Sequence, residues 1–154
     1  MNKKTLIVLL LACLGPVSQA QVPAFETFAK DRSVTYVYVS RGILSLSSGV
    51  DYSRLGVSLD FRQLIHKLDA LQVIYADGRR PSDRMEKAVR KILQRGKYAR
   101  VMQLDEDGEE VTIYQGKNDR STVLVMCTRT GPVFQATVFS GSFTLDEIVG
   151  LVRH

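Results

Sequence analysis

The residues that could do chemistry gather in two short stretches. From Arg79 to Arg100 the sequence holds nine basic residues (Arg79, Arg80, Arg84, Lys87, Arg90, Lys91, Arg95, Lys97 and Arg100) against two acids, Asp83 and Glu86. On a helical wheel Arg84, Lys87, Arg90, Lys91 and Arg95 lie opposite an apolar stripe of Met85, Ala88, Val89, Ile92 and Leu93. A row of long cations suits an anionic surface: lipid headgroups, lipopolysaccharide phosphates or an acidic protein. The same row also serves as a plain solvated helix face laced with salt bridges. The second stretch, Asp105 to Glu110, sets five acids around Gly108. With Asp107-Gly108 as a two-residue turn, Glu106 should face Glu109 and Asp105 should face Glu110, and like charges directly opposite repel. A Ca²⁺ ion would relieve that repulsion. The spacing is not that of an EF-hand loop, however, and a hairpin tip is too exposed to enclose an ion. The expectation is a solvated tip that discourages edge pairing, with no metal and no cofactor.

Catalytic templates are missing. There is no G-x-S-x-G elbow, no phosphate-binding GxxxxGK loop and no H-E-x-x-H pair. Cys127 lies in Thr122 to Thr128, which reads as a buried strand, so an inert structural thiol is expected. Only His66 and His154 could act as imidazole bases; the first reads as a surface or capping residue and the second as a frayed terminus. Ser140-Gly141-Ser142 is a loop that either cradles an anion or positions a helix cap at Thr144. Six tyrosines could line a groove, although half-buried strand tyrosines are ordinary.

The elements that must position these residues follow from pattern. Phe25 and Phe28 flank one helical turn. Val34 to Ser40 and Leu71 to Tyr75 read as strands. Between them, Arg41 to Leu46 reads as a short helix, Ser47 to Gly56 as a loop and Asp60 to Leu68 as a helix, which makes a right-handed parallel crossover plausible. The clearest helix runs from about Asp83 to Arg95, opened by an Asp83/Glu86 capping box after Pro81 and stopped at Gly96. Asp83 with Lys87 and Glu86 with Arg90 form i,i+4 pairs. A four-strand meander follows: Ala99 to Asp105, Val111 to Gln115, a turn over Gly116 to Arg120, Thr122 to Thr128 at the sheet centre, and Val133 to Phe139. Thr144 and Glu147 then open a terminal helix. The fold class is α+β: a mixed, largely antiparallel six-stranded sheet with helices on at least one face.

The N-terminus reads as a secretory signal peptide over residues 1–20. Lys3 and Lys4 precede the apolar run Leu6 to Ala12, Gly15-Pro16 breaks it, and Ser18-Gln19-Ala20 supplies small residues for cleavage. The run is shorter than the roughly 20 residues a membrane span needs, so no transmembrane helix is expected in the mature protein. Cys13 resembles a lipoprotein box, but Leu11 is bulky for one, and cleavage after Ala20 is favoured. That leaves 134 residues, 21–154, for one domain with Cys127 as its sole cysteine and no internal disulfide. Removing Lys3 and Lys4 brings the formal charge from +5 to +3, an ordinary solubility charge that does not argue for nucleic acid.

Taken in order, VTYVYVSRGIL, KLDALQVIYAD, GKYARVMQLDEDGEEVTIY and FSGSFTLDEIVGL resemble a family of exported proteins from Bacteroides-like bacteria, domain of unknown function DUF4252, over about Phe25 to Leu151. The resemblance implies an envelope location and a helix-bearing sheet, and no catalytic residues. The expected function is a non-enzymatic exported protein, in the periplasm or envelope, that binds another envelope protein or an anionic surface through Arg84, Lys87, Arg90, Lys91 and Arg95. Its alternatives are a hydrolase-type enzyme with an unfamiliar site near Ser47 to Gly56, and a regulatory partner in envelope signalling.

Overall fold

A computed structural model describes residues 22–46, 64–118 and 121–152. The residues read as a signal peptide (1–20), with Cys13, the residues read as the Ser47–Gly56 loop, residues 60–63 of the expected Asp60–Leu68 helix, and His154 lie outside the described residues. The described chain opens with α1 (Pro23–Glu26) and a 3-10 turn (Thr27–Lys30), then β1 (Thr35–Ser40) and α2 (Arg41–Leu46). A second 3-10 turn (Ile65–Lys67) leads into β2 (Leu68–Asp77), followed by α3 (Arg79–Arg95). The meander is β3 (Ala99–Glu106), β4 (Glu109–Asn118), β5 (Ser121–Thr130) and β6 (Val133–Gly141), and α4 (Leu145–Val152) closes the chain.

The six strands form one sheet in the order β1-β2-β6-β5-β4-β3. β5 sits near the middle, as its apolar residues on both faces require: Val123 and Val125 point to one side, Leu124 and Met126 to the other, and all four are buried. Asp107 (φ 52°) and Gly108 (φ 80°) both take the left-handed conformation of a tight hairpin turn. They set Glu106 against Glu109 and Asp105 against Glu110, the register expected from Asp-Gly.

Two apolar clusters cover opposite faces of the sheet. On one face α3, with Phe25 and Phe28 from the N-terminal turns, packs on Ile74, Val125, Phe134 and Val138. On the other, Leu44 of α2, Phe143 and Ile148 of α4 pack on Leu71, Val73, Leu124 and Phe139. The buried helical side chains therefore have sheet beneath them, and hydrophobic burial is the main force holding both layers to it. Of the buried polar residues, Gln72 has the largest side chain with full burial. Its Oε1 accepts from the Val22 backbone N–H (3.1 Å) while its Nε2 donates to the Tyr36 hydroxyl (2.9 Å) and reaches the Val22 carbonyl (3.4 Å). The side chain thus meets the hydrogen-bonding demand of a buried amide and pins the start of the described chain to the sheet.

Three expectations change. All five strand pairings are antiparallel, so the parallel crossover from β1 to β2 does not occur: Thr35 faces Tyr75 and Ser40 faces Ala70. Helix-spaced Leu64, Ile65 and Leu68 mark a single 3-10 turn that runs straight into β2, with Leu64 and Leu68 both buried in the same cluster. Strands β4 and β5 also run further than expected, through Asn118 and from Ser121, so most of the Gly116–Arg120 turn is strand; residues 119–120 lie outside the described residues.

Candidate functional site

The basic segment is carried by α3, which is 17 residues long and starts at Arg79, four residues before Asp83. Gly78 makes this entry possible, because its φ of 106° is one that residues with a Cβ rarely adopt. Pro81 falls at the third helical position, where its missing N–H costs no bond. Ser82 is buried beneath the first turn, its hydroxyl proton shared between the Pro132 carbonyl (2.6 Å) and the Ala76 carbonyl (3.0 Å). That hydroxyl ties the helix start to β2 and to the β5–β6 turn. At the other end Tyr98 donates its backbone N–H to the Leu93 carbonyl, and its ring lies where a Cβ on Gly96 or Gly116 would stand, only 2.5 Å away from either. Met85, Val89 and Leu93 form the buried stripe between these anchors.

The Asp83/Glu86 capping box is therefore not formed, since the helix has already begun. Both acids instead turn toward Arg129 of β5. Arg129 donates to Asp83 Oδ1 (2.9 Å), Glu86 Oε2 (3.1 Å) and the Gly131 carbonyl (2.8 Å). Glu86 also accepts from Arg90 at 3.1 Å, the expected i,i+4 pair. Below this cluster a shallow groove of about 330 Å³, open mouth included, runs between α3 and β4, lined among others by Glu110, Thr112, Tyr114 and Cys127. Burial pushes the Cys127 thiol up to about 12, with Glu86 raising it further and Arg90 opposing. Burial raises the Tyr114 hydroxyl as well. At neutral pH the groove thus offers neither a thiolate nor a phenolate nucleophile.

The outer face of α3 is different. Arg84, Lys87, Lys91 and Arg95 are all exposed, and Arg80 extends the same row by one turn. Their spacing of three and four residues stacks them on one side of the helix. Arg90 is exposed too but leaves the row for the flank, held by Glu86. The two acids that could have interrupted the row are the ones drawn to Arg129. Among the described residues Arg84 makes an outward link: it hydrogen-bonds the Ser33 hydroxyl and lies 3.6 Å from the Asp31 carboxylate. Hydrogen bonds from the Ser33 hydroxyl and backbone N–H lower the Asp31 pKa, and Arg84 lowers it further. The exposed Lys30 and Arg32 flank Asp31, so this link ties the backbone that carries them to Arg84. Sequence inspection missed that extension, because nothing local to residues 30–32 points to a partner fifty residues away.

The remaining candidates are dispersed. His66 is exposed on the second 3-10 turn. Ser142 donates its backbone N–H to the Lys67 carbonyl and Thr144 donates its own to Glu147, so these two donors are spent internally. Gly141 is required there, because a Cβ would stand 2.2 Å from the Lys67 carbonyl oxygen. The Thr144/Glu147 capping box forms as expected, and Lys67 pairs with the same Glu147. Hydrogen bonding from Lys67 is the leading reason the Glu147 pKa is lowered. Tyr36, Tyr98 and Tyr114 pack against the same apolar cluster, where Tyr36 bonds Gln72, Tyr98 covers two glycines and Tyr114 lines the groove; Tyr52 lies outside the described residues. Among the described residues no three His, Cys, Asp or Glu side chains gather to hold a metal ion. Nor is any helix there long and apolar enough to cross a membrane.

Fold and surface together define an antiparallel α+β protein with helices on both sheet faces and one helix whose outer face carries a row of exposed cations. Residues 27–151 match the model of the family described as Domain of unknown function (DUF4252), and the chain belongs to that family. No curated protein and no solved structure matches it.

Proposed function

We propose that this is an exported, non-enzymatic binding protein that holds an anionic partner against the outer face of α3. The observation that carries the reading is the absence of acids from the row Arg80, Arg84, Lys87, Lys91 and Arg95, while Asp83 and Glu86 are occupied by Arg129. A row neutralised by its own helix would have no charge to offer a partner. Export rests on Lys3, Lys4, the apolar Leu6 to Ala12 and the small residues before Gln21.

The test is retention in the envelope of the native cell. Tagged protein should remain with the envelope fraction at low salt and be released by high salt. The triple variant Arg84→Gln/Lys87→Gln/Lys91→Gln should be found free at low salt while melting at the same temperature. Equal retention of the variant would remove α3 as the binding face.

A further inference from the structure

The outer face of α3 carries charge and nothing apolar. The exposed large hydrophobic residues among those described are Ile43, Leu46 and Leu104, none of them on α3 or on the N-terminal turns beside it. A protein interface that binds through a helix needs apolar or aromatic anchors in a desolvated centre, and lysine is depleted there. A bilayer rich in phosphate needs neither. Its headgroups are mobile and laterally dense, so long flexible cations can each find one without a shaped pocket.

We infer that the occupant is the surface of a bilayer containing anionic lipid, with α3 lying along it, an assignment that rests on α3 being the capturing face. From Arg80 to Arg95 the row runs about 22 Å at 1.5 Å per residue, long enough to span several headgroups. Lys30 and Arg32 belong to the same footprint, held beside Arg84 by the Asp31–Ser33 turn. The protein lies on the surface without inserting, because Met85, Val89 and Leu93 are already buried against the sheet. Binding is therefore electrostatic and screened by salt, since a Debye length of about 10 Å at 0.1 M shrinks to about 3 Å at 1 M.

The experiment is flotation of the purified protein with two vesicle preparations, pure phosphatidylcholine and phosphatidylcholine carrying phosphatidylglycerol, at low and high salt. The protein should float only with the anionic vesicles and only at low salt. Arg84→Gln/Lys87→Gln/Lys91→Gln should weaken partitioning on the order of a hundredfold, and Lys30→Gln/Arg32→Gln on the order of tenfold. Arg90→Gln, whose charge already faces Glu86, should leave it nearly unchanged. Failure to float with anionic vesicles, equal binding to both preparations, or undiminished binding by the triple variant would overturn the assignment. If flotation fails while envelope retention still depends on Arg84, Lys87 and Lys91, the partner is an acidic macromolecule and the binding face survives. If both fail, the binding face falls too.

Discussion

Two sides of one helix put the same residue types to opposite uses. On the flank of α3 facing β5, Asp83, Glu86 and Arg90 meet Arg129, and every charge there has a counter-charge within about hydrogen-bond reach. On the outer face, Arg80, Lys87, Lys91 and Arg95 project from the helix with no acid on their row, and Arg84 reaches only to Asp31 and Ser33. Arg129 is only 19% exposed and Glu86 23%, so their attraction is felt in a partly dried environment and serves stability. The outer cations are solvated, and charges of that kind add little to stability. The flank is built for the fold, and the outer face is left for something that arrives from outside.

That contrast can be broken in graded steps. Met85→Ala removes a buried side chain from beneath both sides of the helix and should cost about 3 kcal/mol, read by urea unfolding. A cost near zero would mean α3 is not seated on the sheet. Arg129→Ala leaves Glu86 half-buried without its main partner and should cost about 1–2 kcal/mol, discounted because Asp83 is well exposed. Anionic binding should survive that change at temperatures where the variant stays folded. The outer triple variant should move stability by less than about 0.5 kcal/mol in either direction. A larger drop would show that the row is structural after all.

The smallest effect concerns pH. Asp31 has a lowered folded pKa, so its contribution is complete above the unfolded value of roughly 3.9 and is lost as pH falls through the folded one. Because the Ser33 hydrogen bonds come first among its causes, Ser33→Ala should move the NMR titration of Asp31 upward by more than Arg84→Gln does. The reverse order would mean that the ion pair, and not the turn, holds Asp31 in place.

Local pattern made much of the fold legible. The strand positions follow from runs of β-branched and aromatic residues, and the β3–β4 register follows from Asp107-Gly108 alone. The Thr144/Glu147 box was readable because both ends of its hydrogen bonds lie within four residues. Asp83 and Glu86 carry a similar spacing, yet the helix starts earlier because Gly78 allows the entry and Ser82 finds carbonyls on Ala76 and Pro132. The second of those lies fifty residues away and leaves no local trace. The binding face shows the same division. Arg84, Lys87, Lys91 and Arg95 were visible as a helical row and so was the Glu86–Arg90 pair, whereas the link of Asp83 and Glu86 to Arg129, more than forty residues away, was not. Gln72 sits within an apolar strand, and its clasp on Val22 emerges only when the chain closes over it.

The position of β6 between β2 and β5 makes one late segment of the chain the seam between the two halves of the sheet. The β3–β5 meander joins neighbours in sequence and closes only short loops, so it can form early. Strands β1 and β2 belong to the opposite half of the sheet and reach it across β6, which spans residues 133–141. Without that segment, β2 has no partner on its inner edge and α3 has no complete surface to sit on. A chain ending before Val133 lacks the strand that joins β1–β2 to β3–β5.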